Sequence, residues 1–321
     1  MVTKVFEFAD LNGMNGFILN GVKANDQSGI SVTSAGDING DGAGDLIIGA
    51  YLADPGGRNG AGESYVVFGR QGSWPASIEL SVLNGTNGFT LRGIDANDQS
   101  GHSVASAGDI NGDGVDDLII GAHLSDPGSR NGAGESYVVF GHQGAWLASI
   151  DLSVINGTNG FTIRGIDVTD ISGRSVASAG DLNGDGVGDL IIGAHYSDPG
   201  DRGNAGESYA VFGHNKTWPA SIELSSLNGT TGFTLLGVDA GDFSCWSVAS
   251  AGDINGDGED DLIIGATHAD PGGRSDAGET YVVFGRQGDW PASIELSSLN
   301  GTTGVTLRGI DAGDQSGYLV A

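Results

Sequence analysis

The stretch DINGDGVDDLII, Asp109 to Ile120, puts oxygen-bearing side chains at alternate positions, Asp109, Asn111 and Asp113. It adds Asp117 and then runs straight into an apolar segment. Like charges this close favour a solvated surface, yet here they abut a run that reads as a buried strand. Something must neutralise them. The stretch also recurs, as DINGDGAGDLII from Asp37, DLNGDGVGDLII from Asp181 and DINGDGEDDLII from Asp253, always 72 residues on. Self-similarity at a fixed period predicts a repeat architecture: a solenoid, a propeller or an array.

The rest of the unit follows the same period. SIELSVLNGTNGFTLRG from Ser77 returns from Ser149, Ser221 and Ser293, and GESYVVFG from Gly62 returns from Gly134, Gly206 and Gly278, with small changes. One unit reads as four short strands. SVASAGDI (103–110) is rich in small residues, as suits a strand crowded near an axis. DLIIGA (117–122) is continuously apolar, as suits a strand buried on both faces. ESYVVFG (135–141) is β-branched and aromatic, and FTIRG (161–165) suits an outer edge. The linkers are dense in Gly, Asn, Asp and Pro, and no segment keeps a helical period over ten residues. Four strands per unit predict an all-β fold of propeller blades. The expected blades are 31–93, 103–165, 175–237 and 247–309, with partial units 1–30 and 310–321, in one array over 1–321.

Composition agrees. Of 321 residues 59 are Gly, and 41 acidic residues face 13 basic ones, a net charge of −28. Such a surface repels nucleic acid and anionic membranes and draws cations. The single cysteine, Cys245, excludes an internal disulfide framework. No apolar run reaches the roughly 18 residues of a membrane helix, so no membrane insertion is expected. The opening MVTKVFEFAD has no signal-peptide core, so either the protein stays inside the cell or its natural N-terminus lies elsewhere.

The acidic stretch reads as a curled loop. Positions 1, 3, 5 and 9 offer side-chain oxygens, position 7 its carbonyl, and glycines at 4 and 6 permit the curl. The sets are Asp37, Asn39, Asp41, Ala43 and Asp45; Asp109, Asn111, Asp113, Val115 and Asp117; Asp181, Asn183, Asp185, Val187 and Asp189; and Asp253, Asn255, Asp257, Glu259 and Asp261. All-oxygen donors point to Ca²⁺, about four ions per chain, ahead of Mg²⁺, which demands a tighter octahedron. An EF-hand is excluded, because position 12 is Ile and the flanks are strands. Four Ca²⁺ ions would move the net charge from −28 to −20.

On these residues the unit resembles the FG-GAP repeat of integrin α-subunit propellers and of many bacterial surface proteins. The resemblance implies a calcium loop between the first two strands of each blade and seven blades in a complete ring. It also implies an extracellular or cell-surface setting, with structural calcium and adhesion or recognition of a protein or glycan ligand. The family's Phe-Gly step here reads Ser28-Gly29, Ser100-Gly101 and Ser172-Gly173. Its Gly-Ala-Pro step reads Gly49-Ala50-Tyr51, Gly121-Ala122-His123, Gly193-Ala194-His195 and Gly265-Ala266-Thr267.

Further residues carry local expectations. Trp74, Trp146, Trp218 and Trp290 predict packing between blades. Arg58, Arg130, Arg202 and Arg274 predict ion pairs with Glu63, Glu135, Glu207 and Glu279, five residues on. The sequons at Asn84, Asn156, Asn228 and Asn300 predict turn chemistry, and RGID is not an adhesion tripeptide. The six histidines fall on several repeat positions, no G-x-S-x-G elbow occurs and Cys245 has no evident base, so no enzyme is expected. Sameness is lost at Ile30, His102, Arg174, Trp246 and Tyr318, and at Tyr51-Leu52, His123-Leu124, His195-Tyr196 and Thr267-His268. These could form a recognition surface, or mark drift in exposed loops. The alternatives to recognition are a structural subunit of a surface layer or fibre, joining neighbouring copies, and a non-catalytic module of a larger secreted enzyme. The chain is expected not to close a ring on itself, because an orphan outer strand near Phe17–Val22 precedes four whole blades and the tail stops in a fifth inner strand.

Overall fold

In this computed structural model residues 7–321 are described, so the first six residues of the opening stretch and of the first partial unit lie outside the described residues. The described residues form strands and three-residue 3-10 turns, with no α-helix. Each 72-residue unit makes an antiparallel sheet. In the second unit the order from the inside out is Ser103–Gly108, Asp117–Ala122, Glu135–Val139 and Gly160–Arg164. The inner strands of the other units are Val32–Gly36, Ser175–Gly180 and Ser244–Gly252.

The continuous apolar run of the second strand follows from burial on both faces. Leu118 and Ile120 pack with Phe89 and Leu91 of the preceding unit, while Ile119 packs with Leu190 and Ile192 of the following one. Side chains alternate across a strand, so a blade sandwiched between two others needs apolar residues at every position. Small residues in the inner strands have a separate cause. Ser31 Oγ accepts from Val104 N–H of the next inner strand at 3.2 Å, and Ser103, Ser175 and Ser247 repeat that bridge at 3.1 Å. A hydroxyl on a short side chain lets neighbouring inner strands approach this closely.

One element of the unit was not expected. Ser149–Asp151 leaves its own unit and pairs in parallel with Gly88–Arg92 of the preceding blade. Ser221–Glu223 and Ser293–Glu295 do the same to Gly160–Arg164 and Gly232–Leu236, and Ser77–Glu79 does it to Ile18–Asn20. The strand around FTIRG is therefore the outer edge only in the last blade, where Gly304–Arg308 has no such cover among the described residues. Three blades are five-stranded through this exchange and the fourth is four-stranded. The sheets follow one another as propeller blades, and no strand pairs the first with the fourth among the described residues.

The linker tryptophan of each unit fixes the exchange. Trp146, Trp218 and Trp290 stack on Phe89, Phe161 and Phe233 of the preceding unit, with centroids 4.1–4.3 Å apart. The arginine expectation is corrected. Arg58 pairs with Asp151 at 2.7 Å, Arg130 with Glu223 at 2.7 Å and Arg202 with Glu295 at 2.8 Å, each acid ending the strand handed back by the next unit. Arg274 donates to the Gly309 carbonyl instead. Glu63, Glu135 and Glu279 take Arg92, Arg164 and Arg308 across the sheet. Turn chemistry holds at the sequons, where Asn84, Asn156, Asn228 and Asn300 accept from the backbone N–H two residues on.

Candidate calcium loops and the opposite face

The Asp-rich segments join the first two strands of every blade, all at one end of the hairpins. Their curl is the same in all four. The position 1 carboxylate accepts from the N–H groups of positions 5 and 6: Asp109 from Asp113 at 2.9 Å and from Gly114 at 2.8 Å. Asp37, Asp181 and Asp253 repeat both bonds. The position 5 carboxylate accepts from position 7, as Asp113 does from Val115 at 2.9 Å. Gly112 and Gly114 sit at φ 71° and 88°, where a side chain would be strained.

Position 9 is the buried acid. Asp117 Oδ2 accepts from Ile110 N–H at 3.1 Å and Oδ1 from Gly141 N–H at 2.8 Å, tying the loop to the start of the linker. Asp45, Asp189 and Asp261 make the same two bonds. Burial pushes Asp117 and Asp189 up to about 8 and Asp45 up to about 6, and it also raises Asp261. The negative charges at positions 1 and 5 of the same loop add to the rise at Asp45, Asp117 and Asp189, and that of Asp257 adds to it at Asp261. Among the described residues no ion pair includes a loop aspartate. A buried carboxylate beside two others, with no cationic side chain, costs free energy that a bound cation would offset.

The residues fit Ca²⁺ in donor chemistry and curl. Asp at position 5 is exposed in all four loops and Asp at position 9 is buried in all four, so the donors line a loop open to solvent on one side. Their carboxylates are turned onto backbone amides. Among the described residues no three His, Cys, Asp or Glu side chains already converge as a metal cage. A calcium loop also draws on Asn and carbonyl oxygens, here Asn111 and the Val115 carbonyl. At position 7 of the last loop Glu259 is buried and accepts from Gln287 Nε2 at 2.7 Å, which leaves its carbonyl as the donor of interest.

Sequence reasoning missed position 8. Asp116 Oδ2 accepts from Asp37 N–H at 2.7 Å, and Asp260 Oδ2 from Asp181 N–H at 2.8 Å, so loops one and two, and loops three and four, are stitched in pairs. The signal lay in the copies, since position 8 alternates between Gly44, Asp116, Gly188 and Asp260. A cleft of about 870 Å³ opens beside the first loop, between Asn39, Asp41, Arg70, Trp74 and Trp146.

The family comparison matches this unit. The FG-GAP repeat family matches residues 28–67, 100–139, 172–211 and 246–283, each stretch running from the lead into the inner strand through the loop to the third strand. The chain is an array of FG-GAP repeats. The fourth match starts just past Cys245, which holds the position of Gly29, Gly101 and Gly173 and keeps their positive φ, at 65°. The FG-GAP array is 32% identical over 201 residues to integrin alpha-5 of Xenopus laevis, covering 60% of this chain and 17% of that protein. It is 27% identical over 234 residues to integrin alpha-V of Gallus gallus, covering 68% and 19%. It is 33% identical over 175 residues to the phosphatidylinositol-glycan-specific phospholipase D of Bos taurus, covering 54% and 19%. The chain spans about a fifth of the length of these relatives.

The other end of the FG-GAP hairpins carries the divergent residues, because His102 precedes the inner strand and His123 follows the second. The structure brings them together. Tyr51 meets His102 edge-on at 5.1 Å, His102 meets His123 at 4.6 Å and His195 meets Trp246 at 4.8 Å. Trp246 lies 5.8 Å from Tyr318 and 6.2 Å from His268. Four of the six histidines, scattered in sequence, thus share one face. Ile30, the first unit's counterpart of these positions, is exposed and joins no aromatic pair among the described residues.

Proposed function

We propose that this array is a recognition propeller, extracellular or at the cell surface, whose blades are held by structural Ca²⁺, about four ions, one in each Asp-rich loop. The observation that supports it is the repeated buried acid at position 9, set beside two further carboxylates with no cationic side chain to balance it. The ligands are the side chains at positions 1, 3, 5 and 9 and the carbonyl at position 7. If each site had a Kd about 100-fold below ambient Ca²⁺, each ion would add about 2.7 kcal/mol of stability. The metal's role in this reading is structural, and no residue is assigned a catalytic role.

A second reading is favoured by one comparison. The match to a fifth of a phospholipase D is what a non-catalytic module of a larger secreted enzyme would give. A structural subunit joining neighbouring copies is the third. Calorimetric titration of chelator-stripped protein tests the metal. About four Ca²⁺ sites are expected, with Mg²⁺ weaker. No sites, or a preference for Zn²⁺, would overturn the assignment.

A further inference from the structure

Arg174 is an unusual cation in this protein. It occupies the same repeat position as Ile30, His102, Trp246 and Tyr318, and it is half-buried. No ion pair includes it among the described residues, in a chain carrying 41 acidic residues. Its Nη1 lies 2.9 Å from His102 Nε2 and 3.1 Å from Nδ1, so at most one ring nitrogen accepts from it. Its Cζ lies 5.6 Å from the Trp246 ring. The acidic groups that act on it are the phenols Tyr196, Tyr318 and Tyr51.

The histidines around it cannot share its charge. Burial, and then Arg174, hold His102 down to about 4. Burial holds His123 and His195 down to about 3, helped at His123 by His102 and then Arg174, and at His195 by Arg174 and then His102 and His268. All three are neutral at pH 7, so among these four side chains Arg174 alone carries charge. His123 and His195 are buried, and their Nδ1 atoms meet no hydrogen-bond partner among the described residues. Buried polar atoms without partners are uncommon and call for an explanation. Around this point stand exposed aromatic surfaces, Tyr196 and Tyr318.

We propose that the Arg174 face is a binding site for a single carboxylate carried on an apolar or ring scaffold. A guanidinium presents a planar fork that matches a carboxylate with two hydrogen bonds. A desolvated, unpaired guanidinium gains more from such a partner than an exposed one does. Aromatic rings beside it would pack the scaffold that carries the acid. A polyanion fits poorly, because a net charge of −28 repels it wherever it extends past this one cation. Five consecutive units contribute, from Tyr51 to Tyr318, so the site exists only where their hairpin ends are held together. The proposal rests on the recognition half of the function above and not on the calcium half, since the loops lie at the other ends of the strands.

The test uses the full chain saturated with Ca²⁺, at constant ionic strength, with the fluorescence of a chain that keeps Trp246 and calorimetry as readouts. The probes are methyl glucuronide, the amide of N-acetylglutamate, and neutral methyl glucoside. Saturable binding of a carboxylate probe, absent for the glucoside, is expected, and the better of the two acids tells a sugar from a peptide source. Arg174→Gln should weaken it about ten- to a hundredfold. Arg174→Lys keeps the charge but loses the fork, and it should weaken binding by less than Gln while leaving the melting curve in place. Glucoside binding as strong as that of the acids would overturn the carboxylate and leave the recognition reading standing. No binding of any probe, or equal binding to folded Arg174→Gln, would overturn the site.

Discussion

Trp146 lies face to face with Phe89, ring centroids 4.3 Å apart and planes 9° from parallel, although the two belong to successive units. The same pair recurs as Trp218 on Phe161 and Trp290 on Phe233. The ring sits just before the strand that each unit hands back, so it clamps that strand to the preceding blade.

Removing the clamp should be costly. Trp218 is 7% exposed, and Trp218→Ala should destabilise by about 3–5 kcal/mol. Trp74, which stacks on Phe17 but stays partly exposed, should cost less on the same change. Chemical denaturation of the two variants compares them. A cost for Trp218→Ala no greater than for Trp74→Ala would remove the clamp from the account.

The arginine latch is weaker and more specific. Arg130 and Glu223 lie 2.7 Å apart with side chains 34% and 42% exposed, so solvent screens them. A double-mutant cycle with alanines should give a coupling of about 0.2–1 kcal/mol. The cycle for Arg130 with Glu135, the nearer acid in sequence, should give none. Coupling to Glu135 in place of Glu223 would reverse the pairing.

The blades and loops were legible because period and spacing are local facts. An apolar run such as 118–120 declares burial on both faces, and glycines at fixed places declare a curl. The handed-back strand was not legible, since three residues such as Ser149–Asp151 carry no alternation long enough to read. Arg130 could not be matched to Glu223 from sequence, because the partner sits 93 residues on and is reached only once blades pack. The meeting of His102, Arg174 and Trp246 needed the array's geometry. Its only trace in the chain was a position where otherwise near-identical copies differ.

Acid should help part of this fold. Burial, the main cause, pushes Asp98, Asp170 and Asp242 up to about 6 from an ordinary 3.8. The folded chain therefore holds these protons to higher pH than the unfolded chain does. Their contribution is fully present below about pH 4 and is lost as pH rises through 6. In EDTA, Asp170→Asn should raise the melting temperature by a few degrees at pH 7.5 and change it little at pH 4. Thermal melts at the two pH values check this. A variant that melts lower at pH 7.5 would mean that the carboxylate is charged and paired.

The role of the loops is tested most directly by melting Asp113→Ala beside the unchanged protein, each with saturating Ca²⁺ and with excess EDTA. Asp113 is exposed and its own bonds are local, to Val115 N–H and from its backbone to Asp109, so its effect should pass through the ion. The variant should melt lower than the parent in Ca²⁺, by an amount equivalent to about 2.7 kcal/mol if the site was 100-fold saturated, and with the parent in EDTA. Equal destabilisation with and without Ca²⁺ would mean that the loop is held by its hydrogen bonds alone, and the metal would leave the account.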